Sequence, residues 1–248
     1  MRKLIAEIMV AGAAIIGGQA IAADMPYYPP VIEIPDVDYG VEGSFYLRGS
    51  AAGNLFWTRE AWGYDCGCTT TINSTPFSSM GYGYSVGAGF GYETGTGLRV
   101  DATLDYISNS GASLTKTAPP AVAGNYSVNL RTTLALANAY YDFSFGGDYG
   151  YGAAGGAFGY VGAGAGVALN NITVDAPAIN PIDPGSNTSF AAAGMVGVGY
   201  DFGAVVADLG YRAVYINHIS NSAAAPETVW ADHNWLHEVR GTLRYRFN

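Results

Sequence analysis

The chain has 248 residues and a formal net charge of −9, and only 12% of its residues are charged, against roughly 25% in an ordinary soluble domain. An acidic balance excludes nucleic-acid binding, which needs a basic surface. Glycine (35) and tyrosine (19) are in excess, and past Ala23 no run approaches the ~18 apolar residues of a membrane-spanning helix, which leaves an unusual soluble β protein or a membrane barrel.

Met1 to Ala23 reads as a secretory signal peptide. Arg2 and Lys3 form its charged start, Ile8 to Ile16 its short apolar core, and Ala20-Ile21-Ala22 the small-residue cleavage pattern. Residues 24–40 hold four prolines and four acids without a usable period, an extended periplasmic segment ahead of a barrel over 41–248.

Eight strands follow. Successive side chains on a strand point to opposite faces, so alternation of apolar with polar or small residues marks each one. The first spans Gly43 to Leu55, with Phe45, Leu47 and Ala51 opposite Tyr46, Arg48, Ser50 and Asn54. The second, Tyr82 to Tyr92, sets Tyr82, Tyr84, Val86, Ala88, Phe90 and Tyr92 against Gly83, Ser85, Gly87, Gly89 and Gly91. In the third, Leu98 to Tyr106, the polar face is Arg99, Asp101, Thr103 and Asp105. The fourth, about Val128 to Tyr141, reads with Leu130, Thr132, Leu134 and Leu136 on the apolar face and Arg131 on the other; Asn138 breaks this phase and predicts a bulge or a shifted register.

The fifth strand runs from Tyr160 to Asn170, the sixth over Phe190 to Tyr200, the seventh over Val205 to Tyr215 and the last over Trp235 to Phe247. Gaps alternate between long (58–81, 107–127, 171–189, 216–234) and shorter (93–97, 142–159, 201–204). Short turns at one end and long loops at the other describe an all-β, eight-stranded antiparallel up-and-down barrel.

Alternation alone does not say which face looks outward. A barrel of eight strands has room only for side chains within, and the tyrosines and phenylalanines of the apolar set overfill it, whereas the Gly/Ala/Ser set fits. A soluble barrel would also carry lysines outside, yet the chain beyond the signal peptide has one, Lys116, in a predicted loop. Tyr82, Tyr92, Tyr106, Tyr140, Tyr215, Trp235, Tyr245 and Phe247 fall near strand ends on the apolar face, as interfacial girdles do. The apolar face is therefore expected to meet lipid, as a transmembrane barrel.

The segments Phe45-Tyr-Leu-Arg-Gly49, Arg99-Val-Asp-Ala-Thr-Leu-Asp-Tyr106, Asn138-Ala-Tyr-Tyr-Asp-Phe143, Tyr160-Val-Gly-Ala-Gly164, Gly197-Val-Gly-Tyr-Asp201, Asp208-Leu-Gly-Tyr-Arg212 and His237-Glu-Val-Arg-Gly-Thr-Leu-Arg-Tyr-Arg-Phe247 resemble the small outer-membrane β-barrel proteins of alpha-proteobacteria. That family is often labelled porin-like and shares its architecture with the OmpA transmembrane domain. The resemblance implies an outer-membrane barrel with a structural or host-contact role, lipopolysaccharide and outer-membrane lipids as partners, and a C-terminal strand read by the barrel-assembly machinery. Such barrels usually end on an aromatic; here Phe247 is followed by Asn248.

By parity Arg48, Arg99, Arg131, Arg212, Arg240, Arg244 and Arg246 point into the lumen with Asp101, Asp105, Asp208 and Glu238. Buried charges persist only when paired and hydrogen-bonded, which predicts a salt-bridged plug. The alternative is a narrow anion-leaning channel, since seven arginines face four acids. Cys66 and Cys68 in the first long gap are two residues apart and suit either a local disulfide or free thiols; no metal site or cofactor is expected. His218-Ile-Ser220-Asn221 resembles the histidine-serine motif of lipid A deacylases, with Glu227 or Glu238 as the orienting acid. His218 and Ser220 share the lumen-side phase of Asp208 and Arg212, away from lipid, so the expectation is a protein that is not an enzyme. Trp62 and Trp230 look exposed in the loops, which are the expected host-contact surface.

Overall fold

A computed structural model describes residues 43–64, 72–116, 124–145, 156–175, 182–223 and 228–247, all within the unit Tyr39–Asn248. The expected signal peptide, the Pro-rich segment, and Cys66 and Cys68 lie outside the described residues. The described chain forms ten strands: β1 (Ser44–Trp57), β2 (Glu60–Tyr64), β3 (Ile72–Ser79), β4 (Gly81–Glu93), β5 (Leu98–Lys116), β6 (Gly124–Ser144), β7 (Gly156–Asp175), β8 (Gly185–Asp201), β9 (Val205–Ser220) and β10 (Val229–Phe247).

All pairings are antiparallel, and β1 pairs with β10 over Phe45↔Phe247 to Trp57↔Trp235, closing the sheet on itself. The ring proper has eight members: β1, β4, β5, β6, β7, β8, β9 and β10. β2 and β3 form a hairpin above β1 and β4, where β2 joins β10 through Trp230↔Trp62 and β3 joins β5 through Phe77↔Leu114. The turn end carries the strand termini Ser44 and Phe247 and the connections at 94–97 and 202–204; the opposite end is the loop end.

Leu47, Val86, Leu104, Leu209 and Leu243 face outward. Twelve steps from Phe45 to Trp57 at ~3.3 Å each and ~40° of tilt give an apolar wall about 30 Å tall. Phe45, Tyr92, Tyr245 and Phe247 edge it at the turn end, and Trp57, Tyr82, Tyr106, Tyr215 and Trp235 at the loop end. Beyond the row that holds Tyr106 and Leu169, the outer wall turns polar with Ser108, Arg131, Asn171 and Ser186.

Two expectations need correction. The long gaps are largely strand, because β5 runs on to Lys116, β6 begins at Gly124 and β9 reaches Ser220; Lys116 is therefore a strand residue. The fourth strand is inverted: Leu130, Leu134, Leu136, Asn138 and Tyr140 are buried, while Arg131 is exposed. Asn138 marked that error rather than a bulge. The bulge lies in the facing strand, between Asn109 and Ala112, where Gly111 adopts φ +85°, a conformation that glycine reaches without penalty.

Inversion of β6 reflects what fills the lumen near the loop end. Phe56, Ile107, Leu134, Val214, Ile216 and Leu236 are all fully or nearly fully buried there. The interior thus has a charged part toward the turn end and an apolar part toward the loop end.

Candidate functional site: the charged lumen

Inward positions of β1, β4, β5, β9 and β10 meet at mid-barrel because the strands are in register: Asn54↔Glu238 on one side, Glu238↔Arg212 on the other. Arg212 donates to Asp105 at 2.7 Å and to Glu238 at 2.5 Å. Arg240 donates to the other oxygen of Asp105 at 2.7 Å, to Glu238 at 3.1 Å and to Ser50 at 2.5 Å. A chain of neutral donors completes the group: Asn109 to Asn54, Asn54 to Ser85, and the Ser85 hydroxyl to Glu238. Two guanidinium groups against two carboxylates leave this cluster electrically balanced.

Toward the turn end a second cluster forms. Asp101 accepts from Arg48 at 2.8 Å, from the Tyr46 hydroxyl at 2.9 Å and from Asn138 at 2.8 Å. Arg99 grips Asp142 with two hydrogen bonds, at 3.0 and 2.9 Å, while its guanidinium lies 4.0 Å from the centre of the Tyr140 ring. Arg48 also donates to the Tyr140 hydroxyl at 2.8 Å. Arg244 sits among Glu93, Asp142 and Asp208, and Arg246 bridges Glu93 and Asp201 at the turn-end mouth. Bidentate and charge-assisted bonds of this kind are the strongest available to a buried arginine.

Room for these long side chains comes from the glycines facing them. At Gly87 an added Cβ would fall 1.9 Å from Asp105 Oδ1, so a larger residue there would displace the carboxylate that holds Arg212 and Arg240. The inward Gly/Ser set of β4 is therefore the complement of the charges.

Ten of the eleven residues expected in the lumen lie there: Arg48, Arg99, Asp101, Asp105, Asp208, Arg212, Glu238, Arg240, Arg244 and Arg246. Arg131 does not; it is outward beside Ser108 and Asn171, beyond the apolar wall. Tyr140, expected in a girdle, is inside as an arginine ligand. Both displacements follow from the inverted β6. Three carboxylates were missed: Glu93, Asp142 and Asp201. Glu93 continues the inward parity of Gly89 and Gly91, and Asp142 shares the phase of Asn138, so both were legible once the register was right. The arithmetic then changes: six arginines (48, 99, 212, 240, 244, 246) meet seven carboxylates (93, 101, 105, 142, 201, 208, 238) among the described residues. The arginine excess behind an anion-leaning lumen is gone.

The histidines do not assemble a hydrolase among the described residues. His218 Nδ1 lies 2.7 Å from Asp232, so Asp232 takes the place proposed for Glu227 or Glu238; Glu238 belongs to the arginines, and Glu227 lies outside the described residues. Ser220 Oγ accepts the Ser222 N–H, and no hydrogen bond joins Ser220 to His218. His233 and His237 face outward and meet the hydroxyls of Tyr215 and Tyr211 at 2.6 and 2.5 Å. Trp62 and Trp230, expected to be exposed, are half-buried partners across β2 and β10.

No protein-family model matches the chain, and no curated protein matches it. Among solved structures it is similar to Neisserial surface protein A (21% identity, 83% of this chain and 99% of that one, TM-score 0.46). It is also similar to Ail, the attachment invasion locus protein of Yersinia pestis (13%, 83% and 99%, 0.35). The third is the outer membrane protein OprG from Pseudomonas aeruginosa (14%, 83% and 97%, 0.48). With TM-scores below 0.5, none says more about this chain than its own side chains do.

Proposed function

We propose that the chain is exported, loses residues 1–23, and resides in the bacterial outer membrane as a plugged barrel. In this reading it serves envelope integrity and surface contact rather than catalysis. One observation carries it: adjacent residues on β10 reverse the order of a soluble protein, with Leu243 62% exposed and Arg244 2% exposed. A wall of outward leucine, valine, phenylalanine and tyrosine this tall has no stable home in water. In lipid the closed sheet satisfies every backbone group and the apolar wall is solvated.

The pairing of the lumen charges supports the plug. Two clusters at successive levels put carboxylates against each arginine, and parting them to open a path would strand buried charge. Strand extensions past the aromatic row carry polar residues outward, which supports the loop end as the surface offered to lipopolysaccharide and to a host, and β10 as the strand read by the assembly machinery. Planar-bilayer recording on the purified mature chain tests the plug. The expected outcome is no unitary current; regular conductance steps would replace this reading with that of a small channel. Protease accessibility on intact cells, with cleavage confined to the loop end, tests the orientation.

A further inference from the structure

The inversion of β6 that fills the lumen with leucines leaves the outer face of that strand small. Turn-ward of Arg131 its outward residues are Thr133, Ala135, Ala137 and Ala139, until the exposed Tyr141 closes the series. Larger side chains stand on both neighbours: Tyr106 and Leu104 of β5 flank Thr133 and Ala135 on one side, Leu169 and Val167 of β7 on the other. All four are exposed, so the outer wall carries a furrow along β6. One row further, where Ala102, Ala137 and Ala165 lie side by side, it widens into an open bay of about 700 Å³ that Phe90 and Tyr92 also line.

Thr133 to Ala139 is six steps, ~20 Å along the strand at ~3.3 Å each and ~15 Å across the membrane at ~40° of tilt. That is half of a ~30 Å hydrocarbon core, the depth of one leaflet. At the loop-end mouth stands Arg131, on the first polar row with Ser108 and Asn171. Among the described residues it has no ion-pair or hydrogen-bond partner. Asp175, an outward carboxylate of β7, lies two outward rows farther from the membrane and accepts from Asn129. β1 differs: its small outward residues Gly49, Ala51 and Gly53 are cut off from the loop end by Leu55 and Trp57.

We infer that the furrow on β6 seats one acyl chain of a phosphorylated glycolipid of the lipid A class, its phosphate on Arg131 and its chain along Ala135, Ala137 and Ala139. The site rests on the reading that the loop end faces outward, which puts Arg131 in the leaflet that holds such lipids. The arginine stem lies along the apolar wall while its guanidinium reaches headgroup level, where phosphate accepts two parallel, charge-assisted hydrogen bonds. Within lipid there is no hydrophobic gain on contact, so a retained chain has to pack closely, and small side chains between taller ridges permit that.

Native mass spectrometry of the full mature chain, released from nanodiscs that contain lipid A, counts the lipids it retains. One lipid A per chain is expected. Arg131→Gln should weaken retention about tenfold, and Ala137→Phe, which fills the furrow from the lipid side without entering the lumen, should weaken it likewise; Ala51→Phe on β1 should not. Dephosphorylated lipid A should bind the unaltered chain as weakly as lipid A binds the Arg131→Gln variant. Retention that neither substitution lowers, equal retention of phosphatidylglycerol, or a dimer that Ala137→Phe dissolves in place of a bound lipid overturns the assignment. Those outcomes in an inserted chain remove the site alone, whereas a chain that never enters bilayers removes the outer-membrane reading and the site with it.

Discussion

The two parts of the lumen use the same strands and opposite chemistry. From Glu93 to Glu238 the interior is joined by directional bonds, so that Asp105 is fixed by two arginines at once, one on each oxygen. From Phe56 and Leu236 onward the same inward phase carries Leu134, Val214 and Ile216, held by contact area alone. A buried charge tolerates no loss of partner, because the stranded ion bears its desolvation cost in full. A buried leucine loses only its own contacts and the cavity it leaves. The charged part should therefore behave as a unit, and the apolar part as a set of nearly independent residues.

That contrast can be broken at several points. The largest effect is expected from Asp105→Ala, which leaves Arg212 and Arg240 to share Glu238 alone: about 4 kcal/mol of destabilisation, read as a lowered urea midpoint of the refolded protein. Combining it with Glu238→Gln should cost clearly less than the sum of the two, and strict additivity would dissolve the network into separate pairs. Leu236→Ala in the apolar part should cost about 3 kcal/mol and add to Leu134→Ala once separated by more than contact distance. On the outer wall, Leu243→Arg should cost about 2–4 kcal/mol in a bilayer; a neutral result would argue against the lipid-facing wall. Tyr140→Phe, which removes one acceptor from Arg48, should cost about 1 kcal/mol. Arg131→Ala should fall within about 0.5 kcal/mol, because it faces outward beyond the apolar wall.

Period-two alternation was enough to place seven of the eight ring strands and their facing, from Phe45 and Tyr46 in β1 to Leu243 and Arg244 in β10. It worked there because outward apolar residues alternate with inward glycines or charges, and one face is unmistakable. It failed in β6, where the inward side chains are mostly leucines (Leu130, Leu134 and Leu136, with Thr132) and the outward ones include Arg131, Thr133, Ala135 and Ala137. Alternation reports that two faces differ but does not say which is inside, and an apolar lumen defeats the assumption that grease looks out. Asn138, Tyr140 and Asp142 held the correction, since a run of three polar or hydrogen-bonding residues in one phase has to meet partners within.

The amino-acid order by itself determined a closed antiparallel barrel, its apolar wall and most of its inward charges, because strand geometry ties each of these to neighbouring residues. Only the tertiary structure decided who meets whom. Arg212 reaches Asp105 across 107 positions of chain and Arg240 reaches it across 135, and such pairs depend on ring closure and register, which no local pattern encodes. The hairpin of β2 and β3 and the half-burial of Trp62 and Trp230 depend on the same closure, through which β2 meets β10 and β3 meets β5.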